Sequence, residues 1–341
     1  MTGRHSTLAD PSEHGPVARL AARLAARRAD ANSRPTHGAR RYRIHLRRFA
    51  GPAAYLESLE HLRIAHLTDQ HVGRITPYAV QLAAVEMTNA EKPDLVVITG
   101  DFVCHSQLYL DQLTDMVRKF EAPVIGVLGN HDHWSGADEV RLALQRGGVE
   151  VLRNRHTIIT LRGQRLQVVG LDDAYTGHAR RDEAIKGLRK DLPSLGLSHI
   201  AEEADGLWRA HVPLVLSGHT HGGQVTVARL HELALGKLAG HKYVHGLYGS
   251  RARRTHDGET HGAVYVGAGI GAAVMPLRLG ERGRREVTMF ELGCEPGEFA
   301  EHHEAQQPLE GRKPTQEQIE KRAAAVVRKR LLRERRMRGL Y

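Results

Sequence analysis

Along the chain, apolar runs of strand length recur, and each stops at polar residues: "LRIAHLTDQH", "PDLVVITGD", "APVIGVLGNHDH", "LQVVGLDD", "VPLVLSGHTH", "GAVYVGAG" and "EVTMFEL". Helical spacing fills the gaps between the early runs, at 79–90 and 107–119. Near-continuous apolar runs of this length, separated by helices, predict strands buried on both faces of an α/β sheet. Pro93, Pro123 and Pro213 stand at the starts of three runs, where a missing N–H is tolerated. The two ends follow another pattern. Residues 1–38 are rich in Ala, Arg, Ser, Pro and Gly, and only "VARLAARLAARRA" at 17–29 has helical spacing. In the tail from Thr315, Ile319, Ala323, Val326, Val327 and Leu331 recur at i, i+3, i+4 spacing among cations, which predicts a basic amphipathic helix. The expected organisation is a flexible basic arm at 1–38, a central domain at 39–296, and a linker with a basic helix at 297–341.

Charge sharpens that division. The 341 residues carry a formal charge of +10, with 49 Lys and Arg against 39 Asp and Glu. Residues 1–50 and 312–341 each hold eleven cations against three acids, so each end is +8 and the body between them is net −6. A basic helix of this kind suits an anionic membrane surface. Nucleic acid fits it less well, because Tyr341 is the tail's one aromatic for stacking on bases. Cys104 and Cys294 are the only cysteines, which excludes a disulfide framework and a CxxC metal site. No apolar run approaches the roughly 18 residues of a membrane helix. The expected location is therefore the cytoplasm, peripheral to the inner face of the membrane. Oligomeric state has no signature here.

Candidate chemistry lies where the runs end. Asp69 and His71 close the first, Asp101 the second, Asn130 and His131 the third, and His219 and His221 the fifth. In open α/β sheets a site forms beyond the carboxyl ends of the strands, so groups distant in sequence converge there. Imidazole with carboxylate suits Mn, Fe or Zn, whereas an all-oxygen set would suit Mg or Ca. In a D-x-H pair on extended backbone, both side chains leave the same side and can grip one ion. The two oxygens of Asp101 could bridge two cations. Cys104, His133 and Trp134 read as core or rim packing, His66 and His105 as residues that support the ligands or the structure, and Asp172 and Asp173 equally as residues that reach the site or as a turn or cap. "GAGIG" lacks the surroundings of a dinucleotide fingerprint and reads as a tight loop near the metals.

Taken together, D-x-H, GD, GNHD, a lone His and GHxH appear in order as Asp69-Gln70-His71, Gly100-Asp101, Gly129-Asn130-His131-Asp132, His199 and Gly218-His219-Thr220-His221. Over roughly residues 60–295 the chain resembles the calcineurin-like metallophosphoesterases. "LSGHTHGGQ", "KYVHGLYG" and "YVGAGIG…MPLRLG" look like a bacterial subgroup with envelope-directed phosphodiesterases and UDP-diacylglucosamine pyrophosphatase-like enzymes. The family often reads HNPD at the lone histidine, where this chain reads "SHIAEEAD". The resemblance implies a four-layer α/β sandwich of two mixed sheets flanked by helices. It implies two divalent metal ions, with Asp69, His71 and His221 on the first, Asn130, His199 and His219 on the second, and Asp101 between them. His131 would be the general acid or transition-state stabiliser, oriented by Asp132, and Arg74 a further phosphate contact. A water activated between the cations would attack a phosphodiester or pyrophosphate, lipid-linked in the leading reading. Two alternatives are a soluble nucleotide or cyclic-nucleotide phosphodiesterase, and a binding module that acts through its basic tails.

Overall fold

The computed structural model describes residues 36–223, 240–252, 262–272, 283–298, 301–311 and 315–337. The helix expected at 17–29 and the "MPLRLG" stretch lie outside the described residues.

Two six-stranded sheets carry the fold. The first runs β1 (His45–Ala50), β12 (Glu286–Leu292), β2 (Leu62–Leu67), β3 (Leu95–Thr99), β4 (Val124–Val127) and β5 (Val149–Val151). The second runs β10 (Gly246–Gly249), β11 (Ala263–Val266), β9 (Leu214–Ser217), β8 (Ser194–Leu197), β7 (Gln164–Gly170) and β6 (Arg155–Leu161). Both are mixed. β12 opposes β2, while β2 to β5 are parallel to one another. In the second sheet β11, β9, β8 and β7 are parallel, and β10 and β6 run against them.

The period-2 geometry of a strand explains why the runs are apolar throughout. In β3, Leu95 and Val97 enter the layer between the sheets, where they meet Leu195, Leu197, Leu214 and Tyr265. Val96 and Ile98 face the other way, toward Val80 and Ala84 of helix Tyr78–Ala90 and Leu113 of helix Leu110–Val117. The second sheet packs its outer side, including Val215 and Val264, against Ala204 and Leu207 of helix Ala204–Arg209. The result is the sandwich of two mixed sheets flanked by helices that the resemblance implies.

Parallel strands deliver their carboxyl ends to one edge of each sheet. β2, β3, β4, β8 and β9 all end at that edge, immediately before the motif residues. Beyond β12, Gln306 N–H donates to Leu247 O at 2.7 Å, so residues 301–311 run along the body. Helix Gln316–Met337 then lies against helix Asn130–Arg146. Among the described residues no helix is long and apolar enough to cross a membrane.

Candidate metal centre

Short, left-handed turns position the site. β2 stops at Leu67, and Asp69 and His71 adopt φ of 49° and 43°. The D-x-H segment is therefore turned rather than extended, contrary to the expectation from strand geometry. Its amides are used to knit two loops together: Asp69 N–H donates to Gly100 O at 3.0 Å, and His71 N–H to Asp101 O at 2.9 Å. Asp101, His219 and His221 also have positive φ, at 52°, 76° and 53°. Such conformations are uncommon for residues with a Cβ and cluster at functional sites. Packing is tight enough to need glycine: a Cβ on Gly218 would lie 1.9 Å from Thr68 Oγ1, and one on Gly129 would lie 2.3 Å from Asp101 Oδ1.

These turns bring six of the seven predicted ligands together as two overlapping groups, with Asn130 beside His219. Asp69, His71, Asp101 and His221 place ligand atoms within 4.8 Å of one another, and so do Asp101, His199 and His219. Asp101 belongs to both. Its Oδ2 lies 3.6 Å from His71 Nε2 and 3.4 Å from His199 Nε2, while its Oδ1 accepts from the His131 amide at 2.8 Å. His71 Nε2 and His221 Nε2 approach to 3.0 Å, and His221 Nε2 is 3.3 Å from Asp69 Oδ1. Asn130 Oδ1 sits 2.9 Å from His219 Nδ1. The lone histidine joins the cluster: His199 Nδ1 is 2.7 Å from Thr99 O, which turns Nε2 toward Asp101.

The donor set fits divalent cations. Asp69 Oδ1 and His199 Nε2 are buried yet make no hydrogen bond, and an unsatisfied buried polar atom is costly unless something binds it. In place of a cation, protons are drawn to Asp69 and His199. Burial pushes Asp69 up to about 7, opposed by His199 and reinforced by Asp101. Burial alone would depress His199, but the charges of Asp101, Asp69 and Asp173 outweigh it and raise the imidazole to about 10. Asp101 is held well below the usual carboxylate range despite its burial, by His199, His131 and His71. The pocket thus demands positive charge, which metal ions supply. Cys104 could complete a third group with His71 and His131, but burial and the Asp101 charge push its thiol up to about 11, which favours the protonated, weakly ligating form.

Around the cluster, each remaining predicted residue has a definite place. His131 is nearly buried, with Nε2 3.9 Å from Asp101 Oδ2 and its ring 4.2 Å from His105 and 4.8 Å from Trp134. Asp132 accepts from Gly129 N at 2.9 Å and Val103 N at 3.1 Å. It fixes the start of helix Asn130–Arg146 and does not hydrogen-bond the His131 ring. Arg74 is exposed on the loop after His71, and no hydrogen bond or ion pair joins it to the cluster. Asp172 pairs with His133 at 2.7 Å and Arg153 at 2.8 Å, whereas Asp173 accepts from Thr176 within a turn. The "GAGIG" loop does border the site: Gly271 N–H donates to Asp69 O at 2.7 Å. It is tied from behind by buried Glu286, which accepts from Ala268 N and Tyr265 Oη, each at 2.9 Å, and pairs with Arg47 and His245.

The rim was not predicted. Tyr175 lies 5.0 Å from His219, and Arg322 of the C-terminal helix stands over Tyr175 at 4.0 Å. Lys329 of the same helix stands over Trp134 at 3.8 Å. Burial lowers the His131 pKa against the pull of Asp101, and the charges of His199 and Lys329 add to that lowering. Single aromatics and a cationic helix carry no sequence signal for such an arrangement.

A family model described as calcineurin-like phosphoesterase matches residues 62–223. Phosphodiesterase YaeI of Escherichia coli is 30% identical over 246 residues, covering 70% of this chain and 85% of that protein. The uncharacterized metallophosphoesterase YkuE of Bacillus subtilis is 29% identical over 236 residues, covering 67% and 78%. A Danio rerio transmembrane protein with metallophosphoesterase domain is 30% identical over 253 residues, covering 69% of this chain and 54% of that protein.

Proposed function

The chain belongs to the calcineurin-like phosphoesterases and is a phosphoric ester hydrolase, and from that premise we propose that it hydrolyses a phosphodiester or pyrophosphate bond with two divalent cations, Mn, Fe or Zn, for both of which Asp101 would be a ligand residue. Asp69, His71 and His221 would hold the first cation, and Asn130, His199 and His219 the second. The observation that carries this reading is the membership of Asp101 in both ligand groups. When bound, the cations supply Lewis acidity toward the phosphoryl oxygens and toward a water. The chain's own residues do the rest. The Asp69, Asp101 and His219 turns fix the ligand atoms before substrate arrives, so little reorganisation is needed at the moment of reaction. His131 Nε2 faces the same space as Asp101 Oδ2 and donates a proton or hydrogen bond to the leaving oxygen. No side chain acts as nucleophile, and water is the attacking group. Arg74 is retained only as a contact for the outer part of a substrate.

A specific observation favours a substrate at an anionic membrane surface. The outer face of helix Gln316–Met337 exposes Val327 (56%), Leu331 (53%) and Leu332 (50%) among Arg328 and Arg330, a composition that binds anionic lipid. A lipid-linked phosphodiester or pyrophosphate would be presented there, with the protein peripheral to the inner face of the membrane. The test is hydrolysis of bis-p-nitrophenyl phosphate, a cyclic nucleotide and a lipid-linked pyrophosphate in anionic vesicles, by metal-stripped protein given Mn, Zn, Fe, Ni or Mg. Transition-metal-dependent turnover that is fastest on the vesicle substrate supports the reading. Equal turnover of the cyclic nucleotide with and without vesicles favours the soluble enzyme, and no turnover with any metal favours a binding module.

A further inference from the structure

The C-terminal helix also has an inner face, and it is cationic where it meets the metal centre. Arg322 and Lys329 are seven residues apart, two helical turns or about 10 Å along the axis. Each stands over one aromatic ring, and each ring touches an imidazole of the site: Tyr175 touches His219, and Trp134 touches His131. Ile319 seats the helix, since a Cβ on Gly177 would come within 3.5 Å of its Cγ2.

These two cations differ from Lys321 and Arg330 of the same helix. Lys321 pairs with Glu317 at 2.6 Å and Arg330 with Glu334 at 3.0 Å, the i, i+4 pattern of a solvated helix face. Among the described residues, neither Arg322 nor Lys329 makes an ion pair. A guanidinium held on an aromatic face keeps its in-plane N–H donors available for bidentate contact with an oxyanion, and an ammonium over an indole keeps N–H donors facing outward. Two cations without carboxylate partners among the described residues, one ring away from a centre whose metal ions would neutralise the scissile phosphate, are placed to meet a further anion of the substrate.

We propose that Arg322 and Lys329 form a receptor for a second anionic group of the substrate, so that the preferred substrates carry a phosphoryl group beyond the one being cleaved, as a pyrophosphate does. This rests on the hydrolase reading for the first phosphoryl group and adds a specificity-determining site to it. The scissile phosphoryl group sits in the Asp101 cluster, and the second one lies beside the Tyr175–Trp134 ring pair, whose centroids are 6.2 Å apart, within reach of the two cations.

The test is calorimetric titration of the full-length protein with inorganic pyrophosphate and, separately, inorganic phosphate, with and without Mn. The R322Q/K329M variant is expected to weaken pyrophosphate binding by about tenfold or more, while phosphate binding changes by less than about threefold. Lys329→Arg, which keeps the charge, retains most of the pyrophosphate affinity, whereas Arg322→Lys, which keeps the charge but loses the bidentate donors, retains only part of it. K321Q removes a cation from the outer face and leaves both affinities unchanged. Equal weakening for the two ions, no weakening for either, or a wild-type protein that does not bind pyrophosphate more tightly than phosphate would each overturn the proposal. Failure of the hydrolase reading looks different: no phosphoester is turned over with any metal, yet the variant still loses pyrophosphate affinity selectively.

Discussion

Asp101 and Lys329 lie a few contacts apart, yet they are held by opposite means. Asp101 sits on backbone forced into a left-handed turn, fully buried, with amides and imidazoles closed around both oxygens. Lys329 projects from a regular helix onto an indole face and stays largely in water. In the first region position is set by the ends of sheet strands, and a single methyl group at Gly218 has no room. In the second it is set by side-chain torsions on an adjustable surface. The difference teaches where change is tolerated: on the proposed reading, chemistry would belong to the tightly packed region and selection among substrates to the exposed one.

The largest expected effect is at the shared carboxylate. Asp101→Asn keeps the shape and removes the charge between the two ligand groups, so turnover of bis-p-nitrophenyl phosphate should fall on the order of a thousandfold or more, with the circular dichroism spectrum unchanged. A fall below tenfold would place the chemistry elsewhere. Next comes His131→Ala, for which kcat is expected to drop by about 10²- to 10⁴-fold while bound metal per chain stays constant. Loss of metal would instead make His131 a ligand.

The back wall should be intermediate. Glu286 is buried and ionised against Arg47 and His245, so Glu286→Gln is expected to cost about 3 to 5 kcal/mol, read by denaturant unfolding at pH 7. Burial opposes its ionisation, but His245, Arg47 and the Ala268 amide hold it well below the ordinary glutamate range. A depressed acid contributes stability above its unfolded pKa and loses it as pH falls. The gap between wild type and Glu286→Gln should therefore be constant from pH 6 to 8 and shrink below about pH 4.5; a gap that widens in acid would contradict the assignment. The smallest effect is at the helix: Lys329→Met should change stability by less than about 0.5 kcal/mol. A loss above about 2 kcal/mol would mean that the helix is part of the core and erase the contrast between the regions.

Much of this was legible in the sequence, but unevenly, and the physical reason is exposure. The apolar runs predicted β2, β3, β4, β7, β9, β11 and β12, which all lie inside their sheets. They did not predict β1, β5, β6 or β10, the four sheet edges. An edge strand needs fewer apolar residues, and in β1 Arg47 and Arg48 occupy strand positions and pair with Glu286 and Glu91. β8 was missed for a different reason: "SLGL" is central but only four residues long. The candidate cluster was legible because residue type and order pointed to it, and His199 lies within it despite its unusual surroundings. The turned backbone at Asp69 and His71 was not, since non-glycine residues at positive φ leave no mark in composition. Nor was the rim. Helical periodicity announced the C-terminal helix without saying which of its cations would meet Tyr175 and Trp134, because that depends on packing across more than a hundred residues of chain.

The most direct test of the central claim is turnover of bis-p-nitrophenyl phosphate as Mn is titrated into metal-stripped protein. If Asp101 joins two cation sites, activity stays low through the first equivalent, rises with the second and levels off at two per chain. A plateau at one equivalent, or two bound equivalents with no turnover of any phosphoester, would contradict it.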